Sequence, residues 1–429
     1  MQNHPADQEP RRVLGSFFAP KSQNTPTWEQ RKLAELTKTI TTGKSVNSDE
    51  GEVSDGDIGV LKTSCVSYDR FNPSESKPVV KSEQQLVKCA VEKDSVIVSR
   101  MNTPERVGAC GYVSTDFPNL FLSDRLWKLK FQDTVDTYFV YMMLVSSAYK
   151  EKITSMASGT SGSMYNIPKE TFLNLQLVIP AKIDEQKQLG RILKKIDSLI
   201  TLHQRKYEKL VNIKKSMLDK MFPKNGASVP EIRFKGFTDP WEQRKLEEYL
   251  EVSGQKNFEG IYTKEDVLSV SGDFGIVNQI EFQGRSFAGA SVANYGVVET
   301  GDIVYTKSPL KSNPYGIIKA NKGKNGIVST LYAVYKPKQS ANPEFVQIYF
   351  EQGARMNNYM HPLVNKGAKN DMKVSAENAL KGQIVFPDIK EQRTISEFFH
   401  NLDTLITLHQ RKLEKLQNIK KSCLEKMFV

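Results

Sequence analysis

Patterns for metal binding and disulfide formation are absent from this sequence of 429 residues. Its four cysteines, Cys65, Cys89, Cys110 and Cys423, form no CxxC pair, and its five histidines are scattered along the chain. A zinc site or a disulfide framework is therefore not predicted, and so few thiols fit a reducing compartment. We accordingly expect a cytoplasmic protein that holds no metal ion.

The sequence also lacks a long apolar run. No stretch approaches the roughly 20 apolar residues that a membrane-spanning helix needs. Residues 1–27 are polar and lack the apolar core of a signal peptide, so they predict a flexible N-terminal leader. We expect no membrane association.

Catalytic motifs are missing as well. No HExxH motif, GxSxG motif or Cys/His pairing occurs. Residues 42–45 (TGKS) end like a phosphate-binding loop, but such a loop needs glycine where Lys38 stands. Residues 313–316 (NPYG) lack the second proline of the Asn-Pro-Pro-aromatic motif of adenine methyltransferases, and no glycine-rich AdoMet loop precedes them. These absences predict a protein that is not an enzyme.

Positive charge, by contrast, is in excess. The chain carries 60 Lys and Arg against 49 Asp and Glu, a formal net charge of +11. Such an excess attracts phosphate chains and raises the rate of encounter with them. Ribosomal or membrane-surface roles would fit the same charge, so the charge by itself indicates only a polyanionic partner.

An internal repeat dominates the sequence. Residues 197–222 and 403–428 differ at only five of 26 positions, at a fixed offset of 206. The word WEQRKL occurs at 28–33 and again at 241–246, and a proline followed by an EQ pair precedes each long repeat. Because the chain is too long for one ordinary core, the repeat predicts two related domains.

Each near-identical stretch predicts part of a long helix. Its apolar residues recur in alternating steps of four and three, which is a heptad pattern. A helix from Glu185 to Phe222 would be about 57 Å long, more than one turn of DNA at roughly 34–36 Å. We expect the two helices to pack on each other, most simply antiparallel, with a wider apolar face left for a partner; closure of a dimer core is the alternative. The predicted partner-binding positions are Ile196, Leu199, Leu210, Ile213, Leu402, Leu405, Leu416 and Ile419.

The regions between the repeated words predict two α+β domains of one fold. β-type runs at 96–99, 120–122, 126–131, 303–306 and 327–335 alternate with helical patches and glycine-bearing turns. Apolar positions persist between the two copies while polar positions differ. We infer one scaffold with two different faces.

Loops of these domains carry the side-chain chemistry of DNA contact. Arg and Lys reach guanine acceptors, Asn and Gln read adenine, and Ser or Thr bind phosphates. Solvated surface charge is the alternative for any one of them. The candidates in the first domain are Lys44, Ser45, Arg100, Arg106, Arg125, Ser161 and Ser163, and those in the second are Lys256, Arg285, Lys307, Lys311, Lys369 and Asn370.

The repeated WEQRKL, the proline-EQ helix starts and the two near-identical helices after divergent domains resemble the specificity (S) subunit of type I restriction–modification systems. The resemblance spans residues 28–429. It implies two pseudo-symmetric target-recognition domains joined by two long antiparallel coiled-coil helices. The expected segments are a leader (1–27), a first target-recognition domain (28–182), a first spacer helix (183–222), a linker (223–240), a second target-recognition domain (241–388) and a second spacer helix (389–429).

The resemblance also implies a function and partners. Each domain would read one half of a bipartite, asymmetric site in double-stranded DNA, and the helices would set the spacer and dock two modification subunits. AdoMet, ATP and Mg²⁺ are expected only on the modification and restriction subunits, and no cofactor on this chain. The linker 223–240 departs from the shorter lead-in before Trp28, which leaves open how the edge of the first domain is covered.

Two other functions compete with this interpretation. A stand-alone DNA methyltransferase would need the AdoMet loop and the methyltransferase motif that the sequence lacks. A coiled-coil scaffold that binds only proteins would not need the excess of positive charge or the large, loop-rich domains.

Overall fold

The structure, a computed structural model, describes residues 28–68, 70–159, 164–224, 226–307, 313–366 and 372–428. The chain divides into two compact units, which are Met1–Leu202 with Lys412–Val429 (unit 1) and His203–Arg411 (unit 2). Each unit contains one of the repeated domains and parts of both long helices. In the described part of the chain, no helix is long and apolar enough to span a membrane.

The first domain consists of short strands interspersed with short helices. Its strands are β1 (Trp28–Lys32), β2 (Thr37–Thr42), β3 (Gly59–Leu61), β4 (Val66–Ser67), β5 (Arg70–Phe71), β6 (Ser76–Pro78), β7 (Ala90–Val91), β8 (Ser95–Ser99), β9 (Met101–Asn102), β10 (Cys110–Val113), β11 (Phe117–Phe121), β12 (Leu126–Phe131), β13 (Tyr165–Asn166) and β14 (Gln176–Pro180). Its α-helices are α1 (Leu33–Leu36), α2 (Thr137–Leu144), α3 (Ser147–Ser155) and α4 (Lys169–Leu173), and 3₁₀ turns lie at Thr63–Cys65 and Lys81–Leu86. The first long helix, α5, follows at Ile183–Lys220.

The second domain also combines short strands with helices. Its strands are β15 (Glu242–Lys245), β16 (Leu250–Val252), β17 (Leu268–Ser271), β18 (Gly275–Asn278), β19 (Gly296–Val298), β20 (Ile303–Thr306), β21 (Ile318–Ala320), β22 (Gly326–Val328), β23 (Tyr332–Pro337), β24 (Asn365–Lys366), β25 (Met372–Lys373) and β26 (Gln383–Phe386). Its helices are α6 (Gln279–Gln283), α7 (Pro343–Glu351) and α8 (Gly353–Met360), with 3₁₀ turns at Leu246–Glu248, Lys264–Asp266, His361–Leu363 and Asn378–Leu380. The second long helix, α9, spans Ile389–Met427.

Both domains are built on a four-stranded antiparallel sheet of the same order. The order is β10-β8-β12-β2 in the first domain and β21-β20-β23-β16 in the second. The register also matches, since Leu126 lies opposite Ser99 and Tyr332 lies opposite Thr306. The predicted mixture of helix and sheet is therefore confirmed, and the repeat extends to the topology of the two domains.

One predicted β-run was wrong in its extent. Residues 327–335 form two strands, β22 and β23, because the Tyr332 amide donates to the Ser329 carbonyl (3.0 Å) and closes a turn between them. The apolar pattern continues through Leu331, but that side chain is 64% exposed. The sequence pattern alone did not distinguish this apolar turn residue from a strand residue.

The repeated word WEQRKL opens each domain with a strand that pairs with the domain's last strand. β1 pairs antiparallel with β14, and β15 pairs antiparallel with β26. The leucine that ends the word, Leu33 or Leu246, is fully buried. The first and last strands of each domain are therefore neighbours, and the long helix follows the last strand in the chain.

A buried glutamine fastens each long helix to its domain. The Gln186 side chain accepts from the Asp136 amide (3.0 Å) and donates to the Pro180 carbonyl (2.8 Å). Asp136 in turn caps α2 by accepting from the Phe139 amide (2.8 Å). One amide group therefore joins the last strand, the long helix and a capped helix of the domain.

The second domain repeats this arrangement. Gln392 accepts from the Asn342 amide (2.9 Å) and donates to the Pro387 carbonyl (2.9 Å), and Asn342 caps α7 through the Phe345 amide (2.9 Å). This common geometry explains why the EQ pair recurs after a proline in both copies.

The glutamate of the EQ pair is bound differently in the two units. In unit 2 the Arg233 guanidinium of the linker donates twice to the Glu391 carboxylate, at 2.8 Å each, and the Glu391 side chain is 1% exposed. In unit 1 the equivalent Glu185 accepts from the Trp28 indole nitrogen (3.2 Å). The glutamate therefore binds an arginine of the linker in unit 2 and the first tryptophan of the domain in unit 1.

The C-terminal part of each long helix packs against a domain core. Within unit 2, Leu210, Ile213 and Met217 of the first long helix pack against the core that contains Phe222 and Phe345. Within unit 1, Met427 packs against the core that contains Phe139, whose ring lies 5.4 Å from that of Phe428. The repeated KMF ending is therefore an apolar anchor in both units.

Parts of the two long helices also contact each other within each unit. In unit 2, Lys214 pairs with Asp403 (2.8 Å) and His203 contacts His409 (2.8 Å), so the segments run antiparallel. In unit 1, Lys420 pairs with Asp197 (2.7 Å), which is the same ion pair displaced by 206 residues. The near identity of the two stretches follows from these repeated contacts.

The glutamine clamp predicts a loss of stability on truncation. Gln186→Ala leaves the Asp136 amide and the Pro180 carbonyl without their partner, so we expect the free energy of unfolding to fall by about 1–3 kcal/mol. Urea denaturation followed by circular dichroism measures this change. Gln188→Ala, at an exposed position on the same helix, is the matched control; an equal effect of both substitutions would contradict the clamp.

Candidate nucleic-acid interface

Three chain segments meet at one end of the central sheet of the first domain. The Arg100 amide donates to the Arg125 carbonyl (3.1 Å), and the Arg100 guanidinium donates to the Asp124 carbonyl (2.8 Å). The Thr42 hydroxyl at the end of β2 donates to the Leu126 carbonyl (2.9 Å). We call the group Lys44, Ser45, Arg100 and Arg125 the first basic end.

Gly43 places Lys44 and Ser45 at this end. A Cβ atom at Gly43 would lie 1.6 Å from the Leu122 carbonyl oxygen, so only glycine allows the backbone to pass so close to the segment that follows β11. Lys44 and Ser45 are exposed directly after this contact. In the TGKS sequence, the glycine therefore allows two chain segments to pack closely at the end of the sheet.

The other candidates of the first domain belong to two further segments. The Ile167 amide donates to the Arg100 carbonyl (2.9 Å), and Asn166 pairs with Met101, so β13 and Ile167 adjoin the first basic end. Arg106 is exposed in the turn that leads to β10. Ser161 and Ser163, also predicted here, lie outside the described residues.

The second domain has an equivalent sheet end. The Lys307 amide donates to the Leu331 carbonyl (3.2 Å), which repeats the bond between Arg100 and Arg125. Lys256 follows β16 and bridges to Gly296, which pairs with Val328 at the same end. We call Lys256 and Lys307 the second basic end; Lys311, Lys369 and Asn370 lie outside the described residues.

Arg285 does not join this group. It is exposed on the loop after α6, and its guanidinium lies 4.7 Å from the centre of the Phe287 ring. Among the described residues its contacts are local to that loop. The structure therefore brings together Lys256 and Lys307 and leaves Arg285 apart from them.

The electrostatics of the second basic end favour an anion. Partial burial lowers the pKa of Lys307 below its ordinary value, and the like charge of Lys256 lowers it further, while Glu377 acts in the opposite direction. Two cations that repel each other at an exposed sheet end would both be stabilised by a phosphate. This arrangement is chemically suited to a polyanion.

Sequence reasoning missed two features of these ends. Thr42, which joins β2 to the turn at Asp124, was not among the candidates, and neither was Leu331. The signal that could have found Leu331 is the offset of 206, since residues 123–126 (SDRL) and 329–332 (STLY) align at the same turn.

The predicted partner-binding positions on the long helices differ in burial. Ile196 and Leu402 are buried, and Leu210 and Ile213 pack against the core of unit 2, so these four already have contacts inside the chain. The remaining four are exposed or half-buried: Leu199, Leu405 (42% exposed), Leu416 and Ile419. In the part of the chain that the structure describes, no group of three or more His, Cys, Asp or Glu could hold a metal ion.

The second basic end predicts a reduced salt dependence of DNA binding after neutralisation. In the variant Lys256→Gln/Lys307→Gln, we expect the slope of log affinity against log salt concentration to become shallower by about 0.9 for each lost phosphate contact. Titration of the purified chain with duplex DNA at several salt concentrations measures this slope.

Lys324→Gln is the control, because Lys324 is exposed in the turn at the opposite end of the same sheet. A slope that changes equally in the double variant and in this control would rule out a specific role of the second basic end.

The chain is similar in sequence to a known protein family. Residues 26–212 match the family described as type I restriction modification DNA specificity domain. A protein of Methanocaldococcus jannaschii, named as the MjaX type I restriction enzyme specificity subunit, is 21% identical over 416 residues, which cover 92% of this chain and 91% of that protein. The MjaVIII specificity subunit of the same organism is 22% identical over 314 residues, or 70% of this chain and 71% of its own length.

A solved structure shares the fold. The crystal structure of the type I restriction-modification system S subunit from M. genitalium superposes with a TM-score of 0.58 at 15% sequence identity, and the match covers 96% of this chain and 98% of that one. At this identity the likeness concerns the fold, and it extends over nearly all of both chains.

Proposed function

Because the chain belongs to the family of type I restriction–modification DNA specificity subunits, we propose that each repeated domain reads one half of a bipartite, asymmetric DNA site. The chain is the recognition component of such a system and not its catalyst. The observation that carries this proposal is the repeated sheet end, where one backbone geometry presents basic but different side chains in the two domains. Residues 28–182 and 241–388 are the proposed target-recognition domains.

Unequal side chains at equivalent positions support unequal half-sites. Arg100 in the first domain and Lys307 in the second leave the same strand end, but the neighbouring position holds Arg125 in one and Leu331 in the other. Two copies of one reader would have retained similar polar groups at these ends. The proposed site is therefore asymmetric.

The long helices are the proposed spacer, arranged as an antiparallel coiled coil. The glutamine clamp fixes the start of each helix to its own domain, and the KMF ending anchors its other end in a core. An element fixed at both ends has the properties needed to hold a constant separation between half-sites.

The proposed partners are double-stranded DNA, two modification subunits and restriction subunits in the cytoplasm. AdoMet would be bound by the modification subunits and ATP with Mg²⁺ by the restriction subunits, with no cofactor on this chain. Leu405, which is 42% exposed on the second long helix, and the half-buried Leu199, Leu416 and Ile419 are the proposed docking positions.

Co-expression with candidate modification subunits, followed by genome-wide mapping of methylated adenines, tests the proposal. We expect methylation in both parts of one bipartite sequence. Replacing residues 34–180 by those of a relative, with 247–387 retained, should change one half-site and leave the other intact. Methylation at a single contiguous site, or a change in both half-sites, would refute the proposal. Methylation by the purified chain alone would instead indicate a stand-alone methyltransferase.

The spacer role predicts an effect of helix length. Deleting one heptad from each long helix removes about 10 Å of helix, which is about three base pairs of duplex at 3.4 Å each. We expect the mapped spacer to change or methylation to cease. Substituting a heptad of equal length is the control, and an unchanged spacer with full methylation after the deletions would argue against the role.

A further inference from the structure

The two domains share one turn at their basic ends. In the first domain the Leu126 amide donates to the Ser123 carbonyl (3.3 Å), and in the second the Tyr332 amide donates to the Ser329 carbonyl (3.0 Å). The third residue of each turn accepts from the basic residue of the neighbouring strand, Arg100 or Lys307. Arg125 and Leu331 therefore occupy the same position of one scaffold.

Both side chains at this position are directed to solvent. Arg125 is exposed, and among the described residues its guanidinium has neither a hydrogen-bond nor an ion-pair partner. Leu331 is 64% exposed, although exposing a leucine side chain is unfavourable by about 1.5–3 kcal/mol relative to burying it. Neither side chain contributes to the core of its domain, so both are available for a contact outside the chain.

We infer that this position is a base-contacting position in both domains, with Arg125 contacting guanine and Leu331 contacting the methyl group of thymine. The inference rests on the proposed function and deepens it. Arginine donates to both O6 and N7 of guanine in the major groove, and an apolar side chain packs on the C5 methyl group of thymine. A leucine cannot bind a phosphate, which separates this position from the phosphate-binding role of Lys256 and Lys307.

Mapping of methylated adenines in cells that co-express the modification subunit with single variants tests this inference. Arg125→Leu should lower the discrimination in favour of guanine at one position of one half-site by about tenfold to a hundredfold. Leu331→Arg should replace thymine by guanine at one position of the other half-site. The domain replacement described above identifies which half-site belongs to which domain.

Conservative variants serve as controls. Arg125→Lys should keep the guanine and Leu331→Met should keep the thymine, because each retains the required chemistry. Both positions are exposed, and thermal melting followed by circular dichroism verifies that every variant is folded.

Three outcomes separate the inference from the proposed function. If wild-type chain directs no methylation to a bipartite site, the proposed function itself fails. If wild type does so and both variants methylate the same sequences as wild type, only the inference is overturned. If Arg125→Leu weakens methylation equally at all sequences, Arg125 binds phosphate and the inference is again overturned.

Discussion

The attachment of each long helix to its domain depends on one buried amide group. Gln186 and Gln392 each bond the carbonyl of the proline at the end of the last strand and the backbone amide of the residue that caps an earlier helix, α2 or α7. A side chain with one donor and one acceptor arm satisfies both groups at once, which a hydrophobic residue in this place would leave unpaired. This bonding attaches the first turn of each long helix to its own domain.

The proposed recognition surface, in contrast, lies in loops at one end of the four-stranded sheet of each domain. The four-stranded sheet has the same strand order in both domains, and the turns at 123–126 and 329–332 are closed by the same backbone hydrogen bond. The third side chain of each turn, Arg125 or Leu331, is exposed, so it can change without loss of the fold. The two domains can therefore carry different side chains, Arg125 and Leu331, at the same position of one backbone.

Small departures from the repeat show where one local contact has been exchanged for another. Glu185 is bonded to Trp28, whereas Glu391 is bonded to Arg233 of the linker, and the indole nitrogen of Trp241 has no hydrogen-bond partner among the described residues. The second domain thus uses a segment that follows the first long helix to neutralise a buried carboxylate. Such an exchange leaves the position of the helix start unchanged.

The sequence by itself determined the two-fold repeat, the mixed helix and sheet, and the heptad pattern of the long helices, because these depend on local periodicity and on identity between copies. Only the tertiary structure decided that Gln186 and Gln392 are clamps, that Leu331 lies in a turn, and that Arg100 meets Arg125. The contacts of Gln186 with Asp136, of Gln392 with Asn342 and of Arg100 with Arg125 join residues that are 25 to 50 positions apart, and a periodic pattern carries no information about such pairs. Strand register and the closing of turns, which arise from backbone hydrogen bonds, placed them together.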